Sequence, residues 1–117
     1  MSATMPKVLR FSQLSAPRQA LVRLCQSTNY GCVRRLRVKD SDPVFDPLLQ
    51  VLVDVKLDAD EGPRVEVDLS DFVLRDEVCR LMARLDELGN GMIESIEVRA
   101  GIPRRAVIER RLTEASR

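Results

Sequence analysis

The firmest periodic signal in the chain is the apolar series Leu74, Val78, Leu81, Leu85 and Leu88. The steps alternate between four and three residues, so all five side chains fall on one stripe of an α-helix. Ser70 is placed to cap that helix, with Asp71 in the first turn, where negative charge suits the helix dipole. Gly89-Asn90-Gly91 stops it. An earlier helix is predicted by Leu21, Leu24, Cys25 and Thr28, which share one face. Ser15 is its N-cap, and Pro17 sits in the first turn, where a missing N–H costs nothing. It should close between Ser27 and Asn29, with Asn29 or Gly31 taking a left-handed turn.

Between and after the helices the period changes to two. Val51, Val53, Val55 and Leu57 alternate with Leu52, Asp54, Lys56 and Asp58, and Val65 and Val67 alternate with Glu66 and Asp68. Residues 50–57 and 64–69 therefore read as a β-hairpin across the charged turn from Asp58 to Pro63. Val33 to Val38 is a further strand. Cys32, Leu36 and Val38 are expected toward the core, with Arg35, Arg37 and Lys39 toward water. Val33 breaks this alternation and signals a bulge or a covered second face. Asp40-Ser41-Asp42 is turn chemistry, and Pro43-Val44-Phe45 returns as a strand. Ile93 to Val98 and Arg104 to Arg110 form two more strands around a turn at Gly101. Near the start, Lys7 to Phe11 is either a short strand or an extended arm.

Adding sixty to a position aligns two parts of the chain. Leu21 falls on Leu81, Gly31 on Gly91, Val33 on Ile93, Leu36 on Ile96, Val38 on Val98 and Pro43 on Pro103. Each part reads as helix, glycine stop, strand, turn, strand. One such unit cannot bury both its helix and its sheet face alone. The expected fold is thus α+β: a single domain over residues 1–117, with helix–β-hairpin repeats at about 16–46 and 70–111 and a linking hairpin at 50–69. Two helices should pack an antiparallel sheet. A helix followed by aromatic-Gly-x-Val/Ile and a basic-acidic hairpin resembles small bacterial proteins grouped as YezD-like. Tyr30-Gly31-Cys32-Val33 carries this resemblance, which spans Leu21 to Phe45 and, more loosely, Leu81 to Ile108. The hairpin glycine of that pattern is Ser41 in the first part and Gly101 in the second. The resemblance implies no activity, and no catalytic residue is carried over by it.

Composition narrows the chemistry. With 117 residues, 44% hydrophobic and 32% charged, the chain can bury one core without disulfides or metal. Trp is absent and aromatics are scarce, so that core is aliphatic, with the three Phe residues inside it. The net charge of +1 hides an uneven distribution. Met1 to Asp40 holds eight cations and one acid, Ser41 to Cys79 three cations and eleven acids, and the remainder eight cations and six acids. Either these segments neutralise one another, within the fold or across a dimer, or the basic ones meet a polyanion. Cys25, Cys32 and Cys79 lie among apolar neighbours without a Cys-x-x-Cys spacing, and His is absent. Reduced, buried thiols in a cytoplasmic protein are expected, with no zinc site and no cofactor. The N-terminus has no apolar run of the length a secretion signal needs, and no stretch spans a bilayer.

Catalytic constellations are not found. Without His there is no ordinary nucleophile–His arrangement. Gly89 and Gly91 end a helix, the wrong end for cradling a phosphate. Asp58-Ala59-Asp60-Glu61-Gly62 lacks the later ligands of a calcium loop. The acid pairs Asp71/Asp76 and Glu94/Glu97 sit where an exposed helix start or strand face needs charge. The remaining feature is the set of cations Arg34, Arg35, Arg37 and Lys39, with Arg104 and Arg105 at the equivalent second hairpin and Arg110 and Arg111 beyond. The sequence is therefore read as a non-enzymatic interaction or regulatory module, homodimeric because open strand edges tend to be covered. The competing reading is a nucleic-acid binder that uses the Arg-rich strand. No membrane partner is expected.

Overall fold

The computed structural model describes residues 9–58 and 69–109. The fold is α+β: two helices lie on one face of a five-stranded antiparallel sheet. Helix α1 is Ala16–Thr28 and leads into strand β1, Gly31–Lys39, then β2, Asp42–Val44, and β3, Gln50–Val53. Helix α2 is Asp76–Leu88, followed by β4, Gly91–Arg99, and β5, Ile102–Ile108. β1 and β4 are central, and β5 flanks β4. On the other side β2 and β3 share one edge: β3 pairs with the first half of β1, and β2 with the second. Residues 45–49 bridge them, turned by Asp46, whose Oδ1 accepts from the Leu48 backbone N–H at 2.9 Å.

α1 begins and ends as its sequence requires. Ser15 Oγ accepts from the Arg18 backbone N–H, Pro17 occupies the first turn, and Asn29 takes φ 63° at the C-cap. Gly89 does the same for α2 at φ 66°. Both hairpins turn through two residues with positive φ, Asp40 and Ser41 at 52° and 67°, Ala100 and Gly101 at 54° and 77°. This is the handedness that continues the twist of the flanking strands. Each turn is fastened to the opposite helix cap. Ser41 N–H donates to Gly89 O and Gly101 N–H to Asn29 O, both at 2.8 Å.

The core is aliphatic. Leu21, Leu36, Leu85, Ile93, Ile96, Val33, Val38 and Val98 are fully buried in one cluster with Cys25. β1 and β4 run in continuous register, Val33 opposite Ile96 and Leu36 opposite Ile93. Both strands change face between these pairs. Arg35 has φ 60° at that point in β1, and β4 has a bulge against β5 between Ile93 and Ser95. Hence Val33 is buried and Cys32 lies on the opposite face, the reverse of the sequence expectation for Cys32.

Other expectations change as well. α2 starts at Asp76 with Arg75 as N-cap, not at Ser70. Residues 71–74 are instead extended against the segment before α1. Phe11 N–H donates to Phe72 O and Leu74 N–H to Leu9 O, both at 2.9 Å, and Arg10 bridges Val73. The Phe11 and Phe72 rings stack 5.0 Å apart, and the Arg23 guanidinium lies 4.3 Å from the Phe11 centroid. Leu74 is buried from this extended segment. The arm expected at Lys7 to Phe11 is an extended bridge at Arg10 followed by a 3-10 turn, Phe11–Gln13; Lys7 and Val8 lie outside the described residues. Of the arm expected over 50–57 only Gln50–Val53 is a strand, paired with β1, and residues 54–57 leave the sheet; residues 64–68 of the other arm lie outside the described residues. Phe45, expected in the core, is 42% exposed, because it leaves β2 where the edge breaks.

Asp71 fastens the crossing of the two extended segments. Its Oδ2 accepts from Arg10 Nε at 2.9 Å and its Oδ1 from the Ser12 backbone N–H at 2.8 Å. The Arg10 bond first, then the Ser12 bond, lowers its carboxyl from the ordinary 3.8 to about 2. A carboxyl held down in the folded state stabilises above its unfolded pKa and loses that contribution as pH falls through the folded value. Thermal unfolding between about pH 5 and pH 2 should therefore show a steeper fall for the wild type than for Asp71→Asn. Parallel curves would remove Asp71 from the acid response. The close approach of β3 to β1 gives a second prediction. A Cβ on Gly31 would stand 2.0 Å from Leu52 O, whereas one on Gly91 meets only the flexible end of Leu88 at 2.8 Å. In urea titrations Gly31→Ala should cost roughly 1–3 kcal/mol, the overpacking range, and Gly91→Ala clearly less. Equal losses would contradict this packing.

Candidate functional site

The sheet face turned away from the helices is uncovered among the described residues. Three rows of side chains cross it, set by strand register. Leu52, Cys32, Glu97 and Arg105 form the first row. Gln50, Arg34, Ser95 and Val107 form the second, and Val44, Arg37 and Met92 the third. The rows exist because Val33, Leu36 and Val38 of β1, with Ile96 and Val98 of β4, point into the core, which sends their neighbours outward. Leu52 is 46% and Val107 44% exposed, while Cys32 and Met92 are half-buried.

The cations of this face divide into paired and unpaired. Arg37 Nε lies 3.5 Å from Asp46 Oδ2, and Arg99 lies 3.5 Å from Glu97. Arg34 and Arg105 have no hydrogen bond or ion pair among the described residues, nor have the exposed Arg35 and Lys39. Arg104 does not belong with them. It points to the helix layer, where its Nη1 donates to Glu77 Oε2 at 2.8 Å. The structure thus gathers Arg34, Arg37 and Arg105 on one face. Arg35 is exposed at the positive-φ residue of β1 and Lys39 at the strand's end, and Arg104 is on the other side. Arg110 and Arg111 lie outside the described residues.

Some of the charge asymmetry is neutralised within the fold. Arg10 pairs with Asp71, Arg18 with Asp42 and Asp86, and Arg37 with Asp46. These cations come from the basic first third, and three of the four acids from the acidic middle. Of the described cations of the first third, Arg34, Arg35 and Lys39 are left without an ion pair. Alternation in β3 sets Leu52 on the face opposite Val51 and Val53, and that pattern, rather than charge, marks it as an apolar neighbour of these cations.

No group of three or more metal-ligating side chains occurs among the described residues. Cys25 is buried, and burial pushes its thiol up to about 12. The Cys79 thiol is also raised, by desolvation first and then by Asp76. Neither is a ready nucleophile, because the thiolate is the reactive form. The acid pairs are occupied by Arg10 at Asp71 and Arg99 at Glu97. Tyr30 and Phe45 are exposed, but neither stands in the three rows of the open face. No helix among the described residues is long and apolar enough to cross a membrane. No family of known proteins, no curated protein and no solved structure matches the chain.

Proposed function

We propose that the protein is a non-enzymatic interaction module whose uncovered sheet face receives an acidic protein partner. One observation carries this reading: among the described residues, Arg34 and Arg105 stand without side-chain partners beside exposed Leu52 and Val107. Cations beside apolar area suit a partner that supplies both carboxylates and aliphatic contact. Self-association through the same face sets like charges against each other, which opposes it. A second copy is better received at the outer edge of β5, where no described strand lies beyond. Nucleic acid is the second reading, favoured by the same unpaired cations. Its weakness is the lack of an aromatic side chain in the rows on which a base would stack.

We also infer that the chain is built from two like units sharing one core. The second α-helix, central strand and return strand each begin sixty positions after the first. The paired turn-to-cap hydrogen bonds support the same reading. The likeness to YezD-like chains covers both units and adds no chemistry.

Binding of polyglutamate and of random-sequence DNA and RNA across a salt series tests the partner. The wild type should bind polyglutamate at low salt, and Arg34→Glu with Arg105→Glu should weaken this about tenfold or more, as expected for lost charge complementarity. The melting temperature should stay nearly unchanged. Binding of DNA or RNA alone, with a steep salt slope, would establish the second reading; no binding of any polyanion removes both. The shared core has its own test. A chain ending before Ser70 loses β4 and α2, and should unfold without a cooperative transition in urea. A sharp transition in that fragment would refute the two-unit reading.

A further inference from the structure

The niche between each helix and the hairpin of its own unit is filled differently in the two units. Arg18, the third residue of α1, occupies one niche. Its Nη2 donates to Ser41 O at 2.7 Å and to Asp86 Oδ1 at 2.5 Å, and its Nε stands 3.4 Å from Asp42. The third residue of α2 is Val78. Where the first niche has Ser41, Asp42 and Asp86, the second has Gly101, Ile102 and Gln26. The counterparts of Arg18, Asp42 and Asp86 thus carry no charge. What remains is a cavity of about 420 Å³, walled by Val22, Cys25, Phe72, Val78 and Ile102, with Gln26 at its side.

Gln26 makes this more than an apolar gap. The residue is 7% exposed and its Oε1 accepts from Arg23 Nη1 at 3.0 Å, which orients the amide. Nε2 has no partner among the described residues. A buried donor left unsatisfied costs free energy that a ligand acceptor would recover. The Cys25 thiol is held neutral by burial and adds no charge to the wall. Arg75 also lines the cavity but has a partner of its own, so it is not a free cation for an anionic ligand. The volume falls in the range of small-molecule sites, which are mainly apolar with a few convergent polar groups.

We propose that this cavity binds a small, uncharged, mainly aliphatic molecule carrying one carbonyl-type acceptor, which takes a hydrogen bond from Gln26 Nε2. The proposal is independent of the partner of the sheet face. Titration of 2-heptanone into the full chain, followed by amide NMR, is the test, with heptanoate as the charged counterpart. The ketone should give saturable shifts at the Gln26 side-chain amide and at the backbone amides of Val78 and Ile102. Heptanoate should bind at least tenfold more weakly. Val78→Phe, which fills the space, should abolish the ketone shifts while the remaining spectrum stays dispersed. Gln26→Leu, read in parallel in case the larger side chain is not tolerated, should lower ketone affinity severalfold. No saturable shift at Gln26 in the wild type overturns the site. Equal affinity for heptanoate, or shifts indifferent to the folded variants, overturns the assigned ligand class.

Discussion

Everything in this fold hangs on how β1 meets β4. Four fully buried side chains lie at their middle, with Val33 across from Ile96 and Leu36 across from Ile93. Strict alternation would send Val33 and Leu36 to opposite faces. Paired residues share a face, so one strand cannot switch without the other. Both strands make the change at the same place, and Arg35 takes φ 60° there. A long side chain in that conformation is costly, of order 1–3 kcal/mol. It is sustained because four aliphatic side chains then reach one core. The same switch sends Arg34 outward next to Arg35, so the basic surface follows from how the core is packed.

The second constraint is at the helix ends. Each helix finishes on a positive-φ residue, and the carbonyl of that residue accepts from the hairpin turn of the other unit. A helix C-terminus leaves carbonyls without intrahelical partners, and the turn supplies one. The turn gains in return. Asp40, Ser41 and Ala100 are non-glycine residues at positive φ. Asp40 N–H is also held by Asn90 Oδ1 at 3.1 Å. The cap of one unit thus fixes the turn of the other, in both directions, and neither hairpin has its full set of hydrogen bonds without the opposite helix.

What could be read in the sequence were the local features. Ser15 and Pro17 marked the start of α1, and Gly89 the end of α2, because caps act within a few residues. The start of α2 was misread for a physical reason. Ser70-Asp71 has the chemistry of an N-cap, but Asp71 is claimed by Arg10 and by the Ser12 backbone, far away in sequence. A carboxylate chooses its partner in space, and no window of the chain contains that choice. Arg104 and Arg105 teach the complementary lesson. They were grouped by charge, yet as neighbours in a strand they must face opposite ways, and Arg104 meets Glu77 of α2. Period-two alternation applied to β5 would have separated them. Phe45 and Cys32 were misplaced because a break in the β2–β3 edge and a change of strand face leave little trace in composition.

The two niches between helix and hairpin show where such an arrangement leaves room for function. The backbone places Arg18 and Val78 alike, each at the third position of a thirteen-residue helix. In one niche a partly buried cation is met by Asp42, Asp86 and a backbone carbonyl, so its desolvation is compensated. In the other, aliphatic groups surround a single amide. Either filling is compatible with the same helices and turns, since the turn-to-cap hydrogen bonds use backbone atoms alone. Side chains at those positions are therefore not dictated by the fold. A fold that required both niches to be filled would show two ion clusters or two packed apolar plugs. It shows one cluster and one cavity, and the cavity is lined by Gln26, whose amide nitrogen has no partner among the described residues.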